Sequence, residues 1–397
     1  MISKKAIKRK AKDSFRKVMS FAPMSLKRYL TAKEIGRITA FMLPLPELKT
    51  CEEHPELRPE IIRRHREKHP ASAEDLERRL RNLIAEPRYG FDSARVEALR
   101  DEIEYAYYAY GFPPKDFAYF HLDRRDMRTF ISNTERTCVK HTMNDFTQSA
   151  LADKSKVYRY FKDWYKREAV TLETGRDFEK YEAFARKHPV FVVKIVNSSM
   201  GMGVWLQKVT DDLRRDFNEI IRHGKVLLEE RIEQGDEMAR FNTSSINTVR
   251  VATYLTRDGV LPAYGFIRTG RPGSFVDNAG AGGIFAMIDV EKGIVSAHGV
   301  DEFGNEYAEH PDTHIPYIGF AFPDWEEALR ICREASLVLP EMKYKSFDLA
   351  YSKQGWVVVE INPSGELVQQ ACTETGFKEP LRQIMSRMDL ICPYSLR

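Results

Sequence analysis

Cysteine is scarce in this chain, five residues in 397, and Cys51, Cys138, Cys332, Cys372 and Cys392 stand apart with no CxxC pair. That spacing argues against a disulfide framework and for reduced thiols in a cytoplasm. Also missing is any apolar run of signal-peptide or membrane-span length, so neither secretion nor membrane insertion is expected. No Walker-type loop ending in Lys-Ser/Thr occurs, and neither an internal repeat nor a low-complexity segment is present. No Ser/His/Asp or Cys/His set can be assembled for nucleophilic catalysis. Cys372 and His310 lack identifiable partners and read as structural.

What is present describes a soluble globular protein. An apolar fraction of 43% over 397 residues is enough for a sizeable core and about two to three domains. The formal net charge of +4 is a local property, because residues 1–17, "MISKKAIKRKAKDSFRK", hold eight Lys/Arg against one Asp and leave the remainder net acidic. This basic arm, residues 1–24 with the following "VMSFAPM", reads as a solvated tail. Contact with anionic lipid or a polyanion through residues 1–17 is the alternative. Between residues 58 and 100, Arg alternates with Glu, as on solvated helix faces, and no nucleic-acid surface is expected.

The first third reads helical over residues 25–115. Thr31 to Glu34 and Ser72 to Asp75 fit capping boxes, each followed by apolar residues at helical spacing. In "SARVEALRDEIEYAYYAYG", Val96, Leu99, Ile103, Ala106, Tyr107 and Tyr110 form one stripe, with Gly111 as the stop. From about residue 150 short β-rich runs appear, at "VFVVKIV", "VWLQKV", "KVLLEERI", "TVRVATYL" and "AYGFIRTG", between helical stretches such as "RDFEKYEAFARKH" and "DWEEALRICREASLVL". The fold class expected is α+β, with strands arriving in hairpins.

One hairpin raises a question of charge. In "FDLAYSKQGWVVVEIN" a three-residue loop with Gly355 left-handed would pair Ser352 with Trp356 and set Asp348 opposite Glu360, with Asn362 on the same face. Like charges opposed across a ladder cost roughly 0.2–1 kcal/mol when solvated and more when buried, so a cation is expected there. Two carboxylates and an amide oxygen are hard donors of the kind that hold Mg2+ beside substrate phosphates. A solvated strand face is the competing reading.

Other motifs point to phosphate. "KIVNSSMGMGVWL" places Ser198, Ser199, Gly201 and Gly203 between two strands, where backbone N–H groups would wrap phosphate oxygens, although a plain hairpin tip explains the loop as well. Lys194 lies inside an apolar strand and demands a phosphate or carboxylate partner. Lys154 starts a helix, and Arg250 in "INTVRVATYL" is a guanidinium in a β-run that wants a bidentate anion. The loop "GFIRTGRPGSFVDNAGAGG" contributes Arg268, Asp277 and Asn278 among its glycines, and "LLEERIEQ" ends a strand on Glu229 and Glu230 ahead of Ile232 and Glu233.

Taken in order, these features resemble the ATP-grasp superfamily, and within it the sugar-transfer-associated ATP-grasp family, through "ISNTERTCVKHTMND", "INTVRVATY", "VDNAGAGG" and "FDLAYSKQGWVVVEINPSGELVQ". The resemblance covers about residues 110–380. It implies a first grasp subdomain over 116–230 and a second over 231–397, gripping ATP. It further implies that Lys154 and Lys194 contact the phosphates under the Ser198–Gly203 loop, and that Glu229, Glu230 and Ile232 line the adenosine pocket, with Glu230 or Glu233 on the ribose. Arg250 would stabilise the transferred phosphoryl group, and Asp348, Glu360 and Asn362 would hold one or two Mg2+. Arg268, Asp277, Asn278 and Gln369 are left for the acceptors. The activity implied is ligation of a carboxylate to an amine through an acyl phosphate, with a sugar acid or polysaccharide precursor as the suggested acceptor. A phosphotransferase and a non-catalytic nucleotide-binding protein are the rival readings. The role of residues 1–110 and the oligomeric state stay open.

Overall fold

The computed structural model describes residues 22–144, 151, 153–198, 203–274, 277, 280 and 282–397; the basic arm up to residue 21, Ser199, Gly201 and Asn278 lie outside the described residues. Helices occupy the chain from Met24 to Tyr165, after which two antiparallel sheets are laid down. The α+β class expected from the sequence is what forms. The smaller sheet has the order β1 (Ala169–Leu172), β4 (Val226–Glu230), β2 (Val190–Ile195), β3 (Val204–Lys208). The larger runs β11 (Gly355–Asn362), β10 (Tyr344–Ser352), β5 (Thr248–Thr256), β6 (Gly259–Thr269), β7 (Ile284–Asp289), β8 (Ile294–Val300), β9 (Glu306–Tyr307).

The helical expectations hold in kind and shift in detail. Neither capping box starts a helix: Thr31 lies buried inside the helix Met24–Thr39, and Ser72 lies in the first turn of Pro70–Ile84, donating its hydroxyl to the His69 carbonyl at 2.8 Å. Proline, with its preset φ, opens the second helix in place of a box. The stripe from Val96 to Tyr110 breaks at Leu99 into Ser93–Ala98 and Arg100–Tyr110, and Gly111 ends it at φ +74°, the left-handed cap that glycine adopts without strain. Every residue from Ile103 to Tyr110 is buried, because this helix passes through the core and is not spread over it.

Strand alternation divides the larger sheet between two cores. Val249 and Val251 of β5 with Phe347 and Leu349 of β10 pack under the helices Lys154–Tyr165 and Trp325–Ser336. Ala252, Tyr254 and Tyr344 face the other way, into a core shared with Tyr108, Phe117 and Phe130 of the helical region. The helical region is therefore built onto the sheet. The smaller sheet has its own core, Phe191, Val193 and Leu228 against Tyr181, Phe184 and Phe217.

Two buried amides fasten the junction. Asn144 Nδ2 donates to the Tyr344 carbonyl and its Oδ1 accepts from Tyr344 N, both at 2.8 Å. Gln370, 1% exposed, uses all its capacity: Oε1 accepts from Ile131 N (2.9 Å) and Phe377 N (3.0 Å), and Nε2 donates to the carbonyls of Ile131 and Leu367 at 3.1 Å. Replacing Gln370 with Leu keeps the volume and strands those backbone groups. The expected loss is roughly 2–4 kcal/mol at unchanged m-value in urea unfolding; a loss under about 0.5 kcal/mol would mean that the junction does not depend on this amide.

Candidate active site

The charged hairpin forms with a different turn from the one its sequence suggests. Ser352 pairs with Gly355 (φ +85°) and not with Trp356; Leu349 then pairs with Val358, and a bulge at Val359 restores the register that sets Asp348 opposite Glu360. The cation demanded by that juxtaposition comes from the protein itself. Asp348 also lies opposite Arg250 of β5, which grips it at 2.5 Å through Nε and 2.7 Å through Nη2, and Arg268 Nη2 approaches Oδ2 at 3.0 Å. Repulsion between Asp348 and Glu360 is thus relieved without a metal. Burial alone would raise the Asp348 carboxyl, but the two guanidiniums overcome it and hold the group at about 2.

The network extends outward on both sides. Arg250 Nη1 reaches Glu366 at 2.9 Å. Arg268 donates to Thr248 Oγ1 at 2.9 and 2.7 Å, while Asp277 accepts from Thr248 N at 3.0 Å and from its hydroxyl. Asp277 is fully buried, and that burial raises its carboxyl against the pull of Arg268.

On the smaller sheet the partner required by Lys194 is a carboxylate. Its Nζ lies 2.9 Å from Glu229 Oε2, which Arg167 also grips through Nη2 at 2.6 Å and Nε at 3.0 Å. Glu229 is 3% exposed, and its carboxylate is consumed by these cations. Its carboxylate orients both cations. Lys154 is the first residue of the helix Lys154–Tyr165, capped by Asp153, and its Nζ donates to the Ser198 carbonyl. Burial lowers its ammonium, with Glu360 opposing the shift and Lys194 adding to it. Gly203, at φ +73°, brings its carbonyl within 2.8 Å of Ile195 N at the base of the small-residue loop.

Both networks open into one cavity of about 1460 Å3. Lys154, Lys194, Glu229, Glu230, Ile232 and Glu233 line it from the smaller-sheet side, and Arg250, Arg268, Asp277, Asp348, Glu360 and Asn362 from the larger. The sequence comparison places the chain in a family. Residues 149–386 match the family described as Sugar-transfer associated ATP-grasp, well over half of the chain. The chain belongs to the sugar-transfer-associated ATP-grasp family. No curated protein matches it significantly. Solved structures with weak likeness include D-alanyl-alanine synthetase A from Vibrio cholerae O1 biovar eltor (TM-score 0.38, 11% identity, covering 65% of this chain and 68% of that one). Others are the ATP-grasp ligase PsnB complexed with minimal precursor (0.38, 15%, 62% and 64%) and VanG D-Ala:D-Ser ligase from Enterococcus faecalis (0.37, 15%, 61% and 63%). The chain spans about two thirds of the length of these proteins, and at such scores they carry no weight below.

For an ATP-grasp protein the donor set can be tested for Mg2+. Glu360 and Asn362 are two residues apart on β11 and both line the cavity, and each carries an oxygen donor. Those two residues fit a hard cation. Asp348 would have to share its oxygens with Arg250 and Arg268. Among the described residues no three His, Cys, Asp or Glu side chains cluster as a metal site of their own.

Several contributors escaped the sequence reading. Tyr89, Lys115, Asp116 and Tyr119 of the helical region and Glu302 also line the cavity, and Arg167 grips Glu229 beside Lys194. No local pattern marks them, since they reach the site through tertiary packing. Glu366 lay inside the hairpin motif and carried a signal. Gln369, by contrast, is not among the lining residues: it is 2% exposed, with neither amide atom partnered.

The depressed carboxyl of Asp348 fixes a pH window. Its folded value of about 2 lies below the ordinary aspartate value of about 3.9, so its stabilisation is complete above pH ~4 and disappears as pH falls towards ~2. Asp348→Asn should unfold more easily at pH 7 by about 3–5 kcal/mol, since Arg250 loses its buried partner. The gap to wild type should narrow between pH ~4 and ~2 in urea titrations; a gap constant through that window would refute the ion pair.

Proposed function

We propose that this protein is an ATP-dependent carboxylate–amine ligase that forms an amide through an acyl phosphate, releasing ADP and phosphate. The carrying observation is that Lys154, Lys194, Arg250 and Arg268, from four separate elements, converge on one cavity, three of them already aligned by buried acids. Cations fixed before the ligand arrives stabilise developing phosphoryl charge without reorganisation.

In this reading Lys154 and Lys194 hold the nucleotide phosphates, and the connector from Glu229 to Glu233 lines the adenosine, with Glu230 or Glu233 on the ribose. Arg250 and Arg268 neutralise the phosphoryl group as a substrate carboxylate oxygen takes it. Glu360 and Asn362, with Asp348 shared, would hold Mg2+, which supplies charge neutralisation on the phosphate oxygens. The amine nitrogen then bonds to the activated carbonyl carbon and phosphate leaves.

The part of the cavity lined by the helical region suits the acceptors. Tyr89, Tyr119, Asp116 and Glu302 offer rings, hydroxyls and carboxylates, and Lys115 offers a cation for an anionic group. Burial raises the Asp116 carboxyl to about 6, which makes it a better base for an attacking ammonium at neutral pH. A uronic acid or another sugar-linked carboxylate of polysaccharide synthesis is the class to try first. No protein nucleophile is needed: burial pushes the Cys372 thiol up to about 12, and His310 is buried on the Gly270 carbonyl at 3.1 Å.

The test is ADP release over a matrix of carboxylates, uronic acids included, and amines. Release that requires both partners, with an amide product by mass spectrometry, is expected; amine-independent release with a phosphate ester would replace ligation by phosphotransfer. In the active pair Glu360→Gln should abolish Mg2+-dependent turnover while the fold persists, and normal turnover would remove Glu360 from the metal set. Lys194→Met should stay folded, because Arg167 keeps Glu229 paired, yet weaken ATP binding by about 1.5–3 kcal/mol in calorimetry. Unchanged ATP affinity would leave Lys194 a structural partner of Glu229.

A further inference from the structure

The first described helix leaves the apolar residues of its first turns outside. Met24–Thr39 packs against Asn133–Met143, and the residues it buries are polar, Lys27 and Thr31. Met24, Leu26 and Tyr29 stand 51%, 43% and 64% exposed. Spacings of three and four place Leu26, Tyr29, Lys33 and Arg37 along one outward face, apolar at the start and basic beyond. Leu30, Ile35 and Ile38 are half-buried, so the apolar side chains left in solvent are those of the first turns. Directly before it in the chain lie residues 1–17, with eight Lys/Arg and one Asp.

From this juxtaposition we infer that the outward face of Met24–Thr39, together with the basic arm, is a docking surface for an anionic membrane. Two signals are combined: apolar side chains that gain by leaving water, and a cluster of cations attracted by the negative surface potential of anionic lipid. Neither alone anchors a protein stably, which is why their adjacency matters. A duplex nucleic acid would use the cations but gains nothing from the aliphatic side chains of Met24 and Leu26 turned outward. No described helix is long and apolar enough to cross a membrane, so the attachment is peripheral.

The experiment uses the full chain and vesicles of phosphatidylcholine with or without phosphatidylglycerol, read by flotation. Binding only to the anionic vesicles, weakened by salt, is expected. The double variant Leu26→Ser, Tyr29→Ser should lower the bound fraction about tenfold at low salt with an unchanged melting temperature, since both side chains are already exposed. Changing Lys4, Lys5, Lys8, Arg9 and Lys10 to Gln should lower it comparably and remove the salt dependence. Equal binding to neutral vesicles, undiminished binding by the Ser variant, or displacement from vesicles by duplex DNA would overturn the membrane assignment. A wild-type dimer by light scattering that the Ser variant abolishes would give the face to a second copy instead.

Discussion

Arg250 and Asp348 face each other in register on neighbouring strands, and the charges of the cavity are arranged around that buried pair. A single unpaired charge there would be costly, whereas a guanidinium and a carboxylate held by two parallel hydrogen bonds satisfy each other. Arg268 leans on the same carboxylate from the next strand, so one acid orients two cations. Both guanidiniums are thereby fixed toward the cavity, and an entering anion meets cations that need not move.

A second cluster repeats this logic on the smaller sheet with other residues. Glu229 holds Lys194 and Arg167 together, so the lysine is positioned by a group that the nucleotide need not displace. The two sheets thus present cations from opposite walls of one cleft. Lys194, Arg250 and Arg268 are each paired with a buried acid, so charges of both signs line the one cavity.

The helical region adds a third wall. Its core is continuous with one face of the larger sheet, and the Asn144 and Gln370 amides tie it to the strand ends beside the hairpin. That fixed placement brings Tyr89, Asp116 and Tyr119 into the lining of the same cavity, so the helical region contributes to its wall.

Local pattern in the sequence determined much of this protein: the β-runs of both sheets, the helices Phe178–Lys187 and Trp325–Ser336, the left-handed stop at Gly111, and the hairpin that opposes Asp348 to Glu360. Those features depend on periodicity, on glycine and on residues close in the chain, so they are legible without the fold. The sequence also showed that Lys194 and Arg250 each needed an anionic partner, because an apolar strand cannot hold a bare charge. Which partner each took was decided only by tertiary structure. Glu229, Arg167 and Arg268 meet them across strands whose register and bulges are set by packing over the whole sheet, and Asp116 arrives from a different layer. A local reading therefore set Asp348 opposite Glu360 without showing the two arginines that the folded chain brings to Asp348.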